Sequence, residues 1–248
     1  MVKILNLVLY SDNTDYYKSM YSILTNYYNH FDNVKTYFYK YNETINNDIE
    51  VIDNIINIKG KESYLPGILE KTLITFKYIE KEFEDYDYII RSNISSIVDF
   101  TLLAKELENN PIKYCGGTDY LILTWFDIPS GIIDTKYHNI HYIAGTCIIL
   151  GKSGFQLLMD NLHLIDKTII DDVAIGVIFN SLNIILTDLS LEKNKHYAVP
   201  PNNLLTNCID DAINNNFIVY RNKNDNDRND DVNNMELITN VLISKMKK

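Results

Sequence analysis

The order of apolar and polar positions along this chain predicts strands and helices in alternation. Residues 2–10 form a near-continuous apolar run, as expected of a strand covered on both faces. The polar Ser11-Asp12-Asn13-Thr14 that follows can cap a helix, and residues 16–28 repeat apolar side chains at helical spacing. Residues 34–41 alternate as a second strand, and this β-α-β opening predicts a parallel sheet with right-handed crossovers. Residues 50–58 read as a third strand or a short helix. Residues 60–66 form a loop, and residues 65–83 an amphipathic helix with Ile68, Leu69, Leu73, Phe76 and Ile79 on one side.

The next apolar run, Tyr88-Ile89-Ile90, has the β-branched and aromatic character of a buried strand and ends abruptly in Arg91-Ser92-Asn93-Ile94-Ser95-Ser96. This places a fixed cation, an amide and three hydroxyls just past a strand's carboxyl end, where open α/β sheets bind ligands. Helices follow at residues 99–107, 152–162, 171–182 and 235–246, and strands at 112–116, 184–189 and 217–221. Residues 120–133 are irregular and aromatic, with a hairpin one way to fold them. The strand run 142–150 is interrupted by Ala144-Gly145-Thr146. Residues 192–216 are mixed, and 222–234 form an acidic, Asn-rich loop. Without repeats or a clean linker, one mixed α/β domain is the economical reading.

Charge and composition narrow the function. With 23 Lys and Arg against 33 Asp and Glu, the formal net charge of −10 argues against nucleic acid, which is bound by neutralising phosphates. A small phosphorylated ligand needs only a local basic patch and stays open. No run approaches the roughly 18–20 apolar residues of a membrane span. The N-terminus reads as a first strand rather than a signal peptide, so a soluble, cytoplasmic protein is expected. The three cysteines (Cys115, Cys147 and Cys208) have neither metal-ligand nor disulfide spacing; Cys115 and Cys147 lie in apolar runs and read as buried thiols in a reducing setting. The five histidines make no pair with ligand spacing, and no Walker-type loop, dinucleotide fingerprint or nucleophile elbow is present.

Four constellations could carry chemistry, each with a plainer alternative. Arg91 can pair bidentately with a phosphate or carboxylate, with Ser92 and Asn93 binding sugar or nucleotide hydroxyls. Alternatively Arg91 meets a surface acid while the Ser and Asn residues cap the helix near Asp99. Gly145 inside a strand run suggests a close backbone approach, or a bulge. Asp171 and Asp172 open an apolar helix: the first can cap it, whereas the second, facing a cleft, could be a general base or a metal ligand. Arg221, Lys223 and Arg228 stand out in an acidic chain, as a lid over a diphosphate or as a solvated loop.

In order and spacing these pieces resemble a nucleotide-sugar-dependent glycosyltransferase of the GT-A fold, close to the fringe- and galactosyltransferase-like branch and its viral and bacterial relatives. The resemblance rests on the Tyr-Asp-Tyr-Ile-Ile-Arg strand (86–91), the Gly-Thr-containing strand (143–150), and Asp171-Asp172-Val173-Ala174-Ile175-Gly176, over residues 60 to 228. It implies a single Rossmann-like domain over 1–248 with a mostly parallel central sheet flanked by helices. A nucleotide-sugar half would span about 1–100. An acceptor half with a C-terminal basic loop and helix would span about 101–248. It implies a hexosyl- or N-acetylhexosaminyltransferase that moves a sugar from a nucleotide diphosphate sugar, a UDP-sugar, to a glycan or protein hydroxyl with inversion, in the host cytoplasm if viral. Asp172 would be the base and Asp171 its positioning partner or an acceptor contact. Gly145 and Thr146 would line the acceptor side. Ser11, Asp12, Asn13, Arg91, Ser92, Asn93, Arg221 and Lys223 would lie at the donor. The family's Asp-x-Asp motif, which holds Mn²⁺ or Mg²⁺ on the diphosphate, is replaced here by Arg91-Ser92-Asn93. Asn93 can offer a metal one neutral oxygen, so either the metal is weak or absent, or the chain is a catalytically inactive nucleotide- or glycan-binding relative.

Overall fold

The computed structural model describes residues 1–191, 196–200, 213–224 and 227–246. Its centre is an eight-stranded sheet. β1 (Ile4–Leu9), β2 (Val34–Asn42), β4 (Ile55–Lys59) and β5 (Tyr88–Asn93) run parallel, β1 lying between β2 and β5. β3 (Ile49–Ile52) closes one edge antiparallel to β4. Beyond β5 come the antiparallel β10 (Cys147–Gly151), then β7 (Cys115–Gly117) and β11 (Thr187–Asp188).

Helices cover both faces, so alternate residues of the inner strands enter two different cores. On one face Ile4 and Val8 of β1 and Tyr88 and Ile90 of β5 pack with α1 (Asp15–Tyr28), α3 (Phe100–Asn109) and α6 (Arg228–Met246), through side chains such as Leu24, Leu103 and Ile238. On the other, Leu5, Leu7 and Ile89 pack with α2 (Gly67–Phe83), α4 (Lys152–Asp160) and α5 (Asp171–Ser181), through Phe76, Phe155 and Phe179. This parity places Arg91 and Asn93, two and four residues beyond Ile89, on the α2–α5 side. Ser92 faces the other way.

Two smaller sheets bring distant segments to the carboxyl end of β5. In one, β6 (Ser96–Val98) pairs with β13 (Val219–Asn222), which also pairs with β12 (His196–Val199); Arg221 stands opposite Ser96. In the other, β8 (Tyr120–Ile122) pairs with β9 (His141–Ile143), and the chain then passes through Ala144-Gly145-Thr146 into β10 beside β5.

Several sequence expectations change. β5 does not stop at Ile90 but continues through Asn93, so Arg91 and Ser92 are strand residues. Residues 50–58 are neither one strand nor a helix: β3 and β4 form a hairpin whose turn has Asp53 at a positive φ of 55°. The 222–234 loop is shorter, because α6 begins at Arg228. The 184–189 strand contracts to Thr187–Asp188. At α1, Thr14 holds the cap position without a side-chain cap bond, whereas Asp99 caps α3 by accepting the amides of Thr101 and Leu102. Cys115 and Cys147 are buried free thiols; Cys208 lies outside the described residues, as does most of 192–216.

Gly176 of α5 is the point of closest approach to β9. A Cβ added there would lie 2.6 Å from the Cβ of Tyr142 and 2.9 Å from the carbonyl oxygen of His141. Gly176→Ala should therefore overpack this contact and cost about 1–3 kcal/mol despite the higher helix propensity of alanine. A lowered midpoint in denaturant unfolding checks this; an unchanged or raised midpoint would mean that α5 can shift away from β9.

Candidate active site

The elements converge on a cleft of about 660 Å³. Its floor is built on Arg91. The guanidinium extends from β5 and meets Asp171 at the start of α5, with Nη2 2.7 Å from Oδ2 and side-chain exposures of 1% and 2%. Nη1 donates to the Oδ1 of Asn93 at 2.8 Å and to the carbonyl oxygen of Gly145 at 2.6 Å. The Thr72 hydroxyl donates to Asp171 at 3.2 Å and exchanges a hydrogen bond with the Tyr39 hydroxyl. Burial disfavours the charged guanidinium, but Asp171, Tyr39 and Asp172 outweigh it and hold the Arg91 pKa above its usual value.

Gly145 belongs to this arrangement because a side chain would not fit. An added Cβ would fall 2.4 Å from Nη1 of Arg91. The same glycine donates its amide to Oδ2 of Asp172 at 2.8 Å, and the Val173 amide donates to Oδ1 at 2.8 Å. Asp172 is half-buried and lines the cleft. Burial and then the neighbouring Asp171 charge push its pKa up to about 6, against the pull of the two amides and Arg91. The two acids thus differ: one is neutralised internally and the other faces the cleft as a titratable carboxylate.

A second cavity of about 460 Å³ adjoins the first, sharing Leu9, Tyr17, Asn93, Arg221 and Arg228 among its walls. Ser11 and Asn13 line it. Lys71 lies behind it, almost fully buried, donating to the Tyr10 carbonyl oxygen at 2.9 Å and to both Glu62 oxygens at 2.9 and 2.7 Å. Burial pushes the Lys71 ammonium down, and Glu62 opposes it.

The sequence-predicted residues divide as follows. Asp171, Asp172, Gly145, Thr146, Arg91, Asn93, Arg221 and Lys223 all line the larger cleft. Arg91 is no free strand-end cation, since Asp171 supplies its counter-charge. Asp171 is not the cap of α5: Ile170 holds that position, and the carboxylate faces Arg91. Ser92 is fully buried on the opposite face and lines neither cavity. Asp12 lines neither, and its carboxylate pairs with Lys40. Asp119, Lys71 and Trp125 went unrecognised in the sequence. Asp119 lies just beyond β7, accepts the Thr146 hydroxyl at 3.3 Å and stands 4.0 Å from Nδ1 of His196. Its available signal was a carboxylate two residues after the Gly116-Gly117 strand end. Trp125, the only tryptophan, is 43% exposed on the cleft wall.

The residues at the metal-motif position do not fit a divalent cation. Oδ1 of Asn93 already accepts from a guanidinium, and Asp171 is paired with the same guanidinium. A metal ion there would share its ligands with a fixed positive charge. Among the described residues, no group of three or more His, Cys, Asp or Glu side chains could hold a metal.

No family model matches the sequence, and a search of curated proteins finds no match. Solved structures do match. A glycosyltransferase involved in the glycosylation of the major capsid of PBCV-1 aligns over 94% of this chain and 99% of its own, with a TM-score of 0.52 at 12% identity. The galactosyltransferase LgtC, solved with donor and acceptor sugar analogues, aligns over 95% of each chain at 11% identity and a TM-score of 0.44. Mouse xyloside xylosyltransferase 1 aligns over 90% of this chain and 97% of its own at 9% identity and 0.44. The first of these identifies the architecture: the chain has the GT-A-like glycosyltransferase fold, as the resemblance implied.

The buried pair yields a prediction about stability. Asp171→Ala leaves Arg91 charged and unpaired in the core, and should cost about 3–5 kcal/mol. Arg91→Met combined with Asp171→Leu removes both charges, and should cost clearly less than the single change. Urea unfolding of the three proteins decides it; equal losses for single and double variants would show that the pair is not the source.

Proposed function

We propose that this chain is a glycosyltransferase that moves a hexosyl or N-acetylhexosaminyl group from a nucleotide diphosphate sugar, a UDP-sugar, to a hydroxyl of a glycan or protein, with inversion. The observation that carries this reading is the Asp172 carboxylate, held by two amides at the cleft floor and raised in pKa, on a GT-A-like fold. The nucleotide would lie toward Ser11 and Asn13 after β1, and the acceptor toward Gly145, Thr146 and the Trp125 wall.

In the proposed step the acceptor hydroxyl oxygen attacks the anomeric carbon from the face opposite the diphosphate. A carbon–oxygen bond forms as the bond to the diphosphate breaks, and the nucleoside diphosphate leaves with the electron pair. Asp172 takes the hydroxyl proton. Its two amide contacts fix the carboxylate's orientation, so proton transfer requires little reorganisation. Asp171, paired with Arg91, acts as a positioning residue: burial first, and then the Asp171 charge, raise the basicity of Asp172 toward the working pH range.

A second reading, a nucleotide- or glycan-binding protein without turnover, is favoured by one feature: the metal-motif position holds an arginine salt-bridged inside the protein. Release of UDP from a panel of UDP-sugars separates the two, because a binding protein releases none.

Asp172→Asn should lower turnover by roughly 10²–10⁴-fold while UDP affinity changes little. Unchanged turnover would remove Asp172 as the base. The wild-type pH profile follows from the same group. Below about pH 6 Asp172 is protonated and cannot accept the proton, so kcat/KM should fall as pH drops through about 6 and level off above it. A profile flat from pH 5 to pH 8 would contradict the assignment.

A further inference from the structure

The proposed base chemistry leaves the basic wall of the cleft unused. Arg221 reaches from β13 into both cavities. Its Nη1 donates to the Ser95 hydroxyl and, at 3.3 Å, to the Ser96 hydroxyl. Hydroxyls orient a guanidinium but do not neutralise it. Among the described residues no carboxylate stands within ion-pair distance of Arg221. Arg228, at the start of α6, lines both cavities as well. It bonds Asp231, and its guanidinium carbon lies 6.0 and 5.8 Å from the ring centres of Tyr16 and Tyr17. Lys223 lines the larger cleft from an exposed position.

These groups repel one another. Burial, then Arg228 and Arg91, push the Arg221 pKa down to about 10, with Asp231 offsetting only part. A partly desolvated guanidinium such as Arg221, with hydroxyls but, among the described residues, no carboxylate beside it, is stabilised by an anion, and the forks of Arg221 and Arg228 suit phosphate oxygens. The cluster borders Asn93, the residue that replaces the metal motif, and Asn93 with Asp171 is already taken by Arg91.

We propose that Arg221 and Arg228, with Lys223 at the rim, bind the donor diphosphate and neutralise it without a divalent cation. This rests on the nucleotide-sugar reading above and adds the manner of leaving-group stabilisation. Fixed guanidinium groups aimed at the diphosphate offset the charge that grows as the glycosidic bond to it breaks. The Tyr16 and Tyr17 rings of α1, which line the same cleft, lie beside the Arg228 guanidinium.

The test is calorimetric binding of UDP to the full chain, in excess EDTA and in excess Mn²⁺, with inorganic pyrophosphate as a competitor. Affinity should be the same in both buffers, and pyrophosphate should displace UDP. Arg221→Gln should weaken UDP binding by about tenfold or more, as expected for loss of one charge-assisted contact. Arg221 also ties β13 to Ser95, so Arg228→Gln serves as the second variant, and each is compared with wild type by circular dichroism and thermal midpoint. UDP binding that appears only with Mn²⁺ would overturn the inference and leave the glycosyltransferase reading standing. Metal-independent binding that neither substitution weakens would also overturn it. If neither UDP nor GDP binds in either buffer, the nucleotide-sugar reading itself falls, and this inference with it.

Discussion

A guanidinium sealed inside a protein dictates much of what surrounds it. Arg91 sits at 1% side-chain exposure, and its charge is tolerable only because Asp171 meets it from the first turn of α5. That pair joins the start of α5 to β5. Nη1, shared with Asn93, also meets a backbone carbonyl, which Gly145 supplies because it has no side chain to collide with Nη1. With Gly145 held in this way, its amide points to Asp172. One buried ion pair therefore locates the 144–146 crossover, the start of α5 and the carboxylate that faces the cleft.

The same pair separates the two acids of the Asp171-Asp172 dipeptide. Adjacent carboxylates in a half-buried site would share a proton between them if their environments were alike. Here Arg91 pairs with one, and burial, then the neighbouring Asp171 charge, raises the other. The asymmetry gives Asp172 a basicity that an exposed aspartate lacks. The adjoining cavity obeys the same rule: Lys71 is buried behind it only because Glu62 and the Tyr10 carbonyl oxygen satisfy its ammonium.

The inner strands and the long helices were legible because their side-chain periodicity is local. β1, β2, α2 and α5 fall within a few residues of their predicted limits. The Gly145-Thr146 and Asp171-Asp172 pieces were also visible, since close approach and a charged helix start leave marks in a few adjacent residues. The continuation of β5 was not. Arg91 looks like the end of a strand until its counter-ion, eighty residues later in the chain, is known to lie beside it. Strand parity then settles what composition could not: Ser92 belongs to the α1–α6 core, and Asn93 to the cleft. The early start of α6 was hidden in an Asn- and Asp-rich run. Asp231 earns its helical place there by accepting the Asn224 amide and pairing with Arg228.

The charge of the whole chain and the charge of one wall of its cleft, the wall of Arg221, Lys223 and Arg228, point in opposite directions, and the difference in range reconciles them. A net charge of −10 repels a diphosphate at a distance, but at physiological salt that repulsion fades within about 8 Å. Inside the cleft, near guanidinium groups partly removed from water, the effective dielectric is lower and each contact is worth more. An acidic exterior therefore sets a modest penalty on encounter, whereas the local cluster governs binding once the anion is inside. Such a surface also disfavours extended polyanions, whose binding needs many cations spread along a face. Arg221, Lys223 and Arg228 stand together at β13 and the start of α6, against the end of β5, where the proposed diphosphate, being small, could meet several of them together.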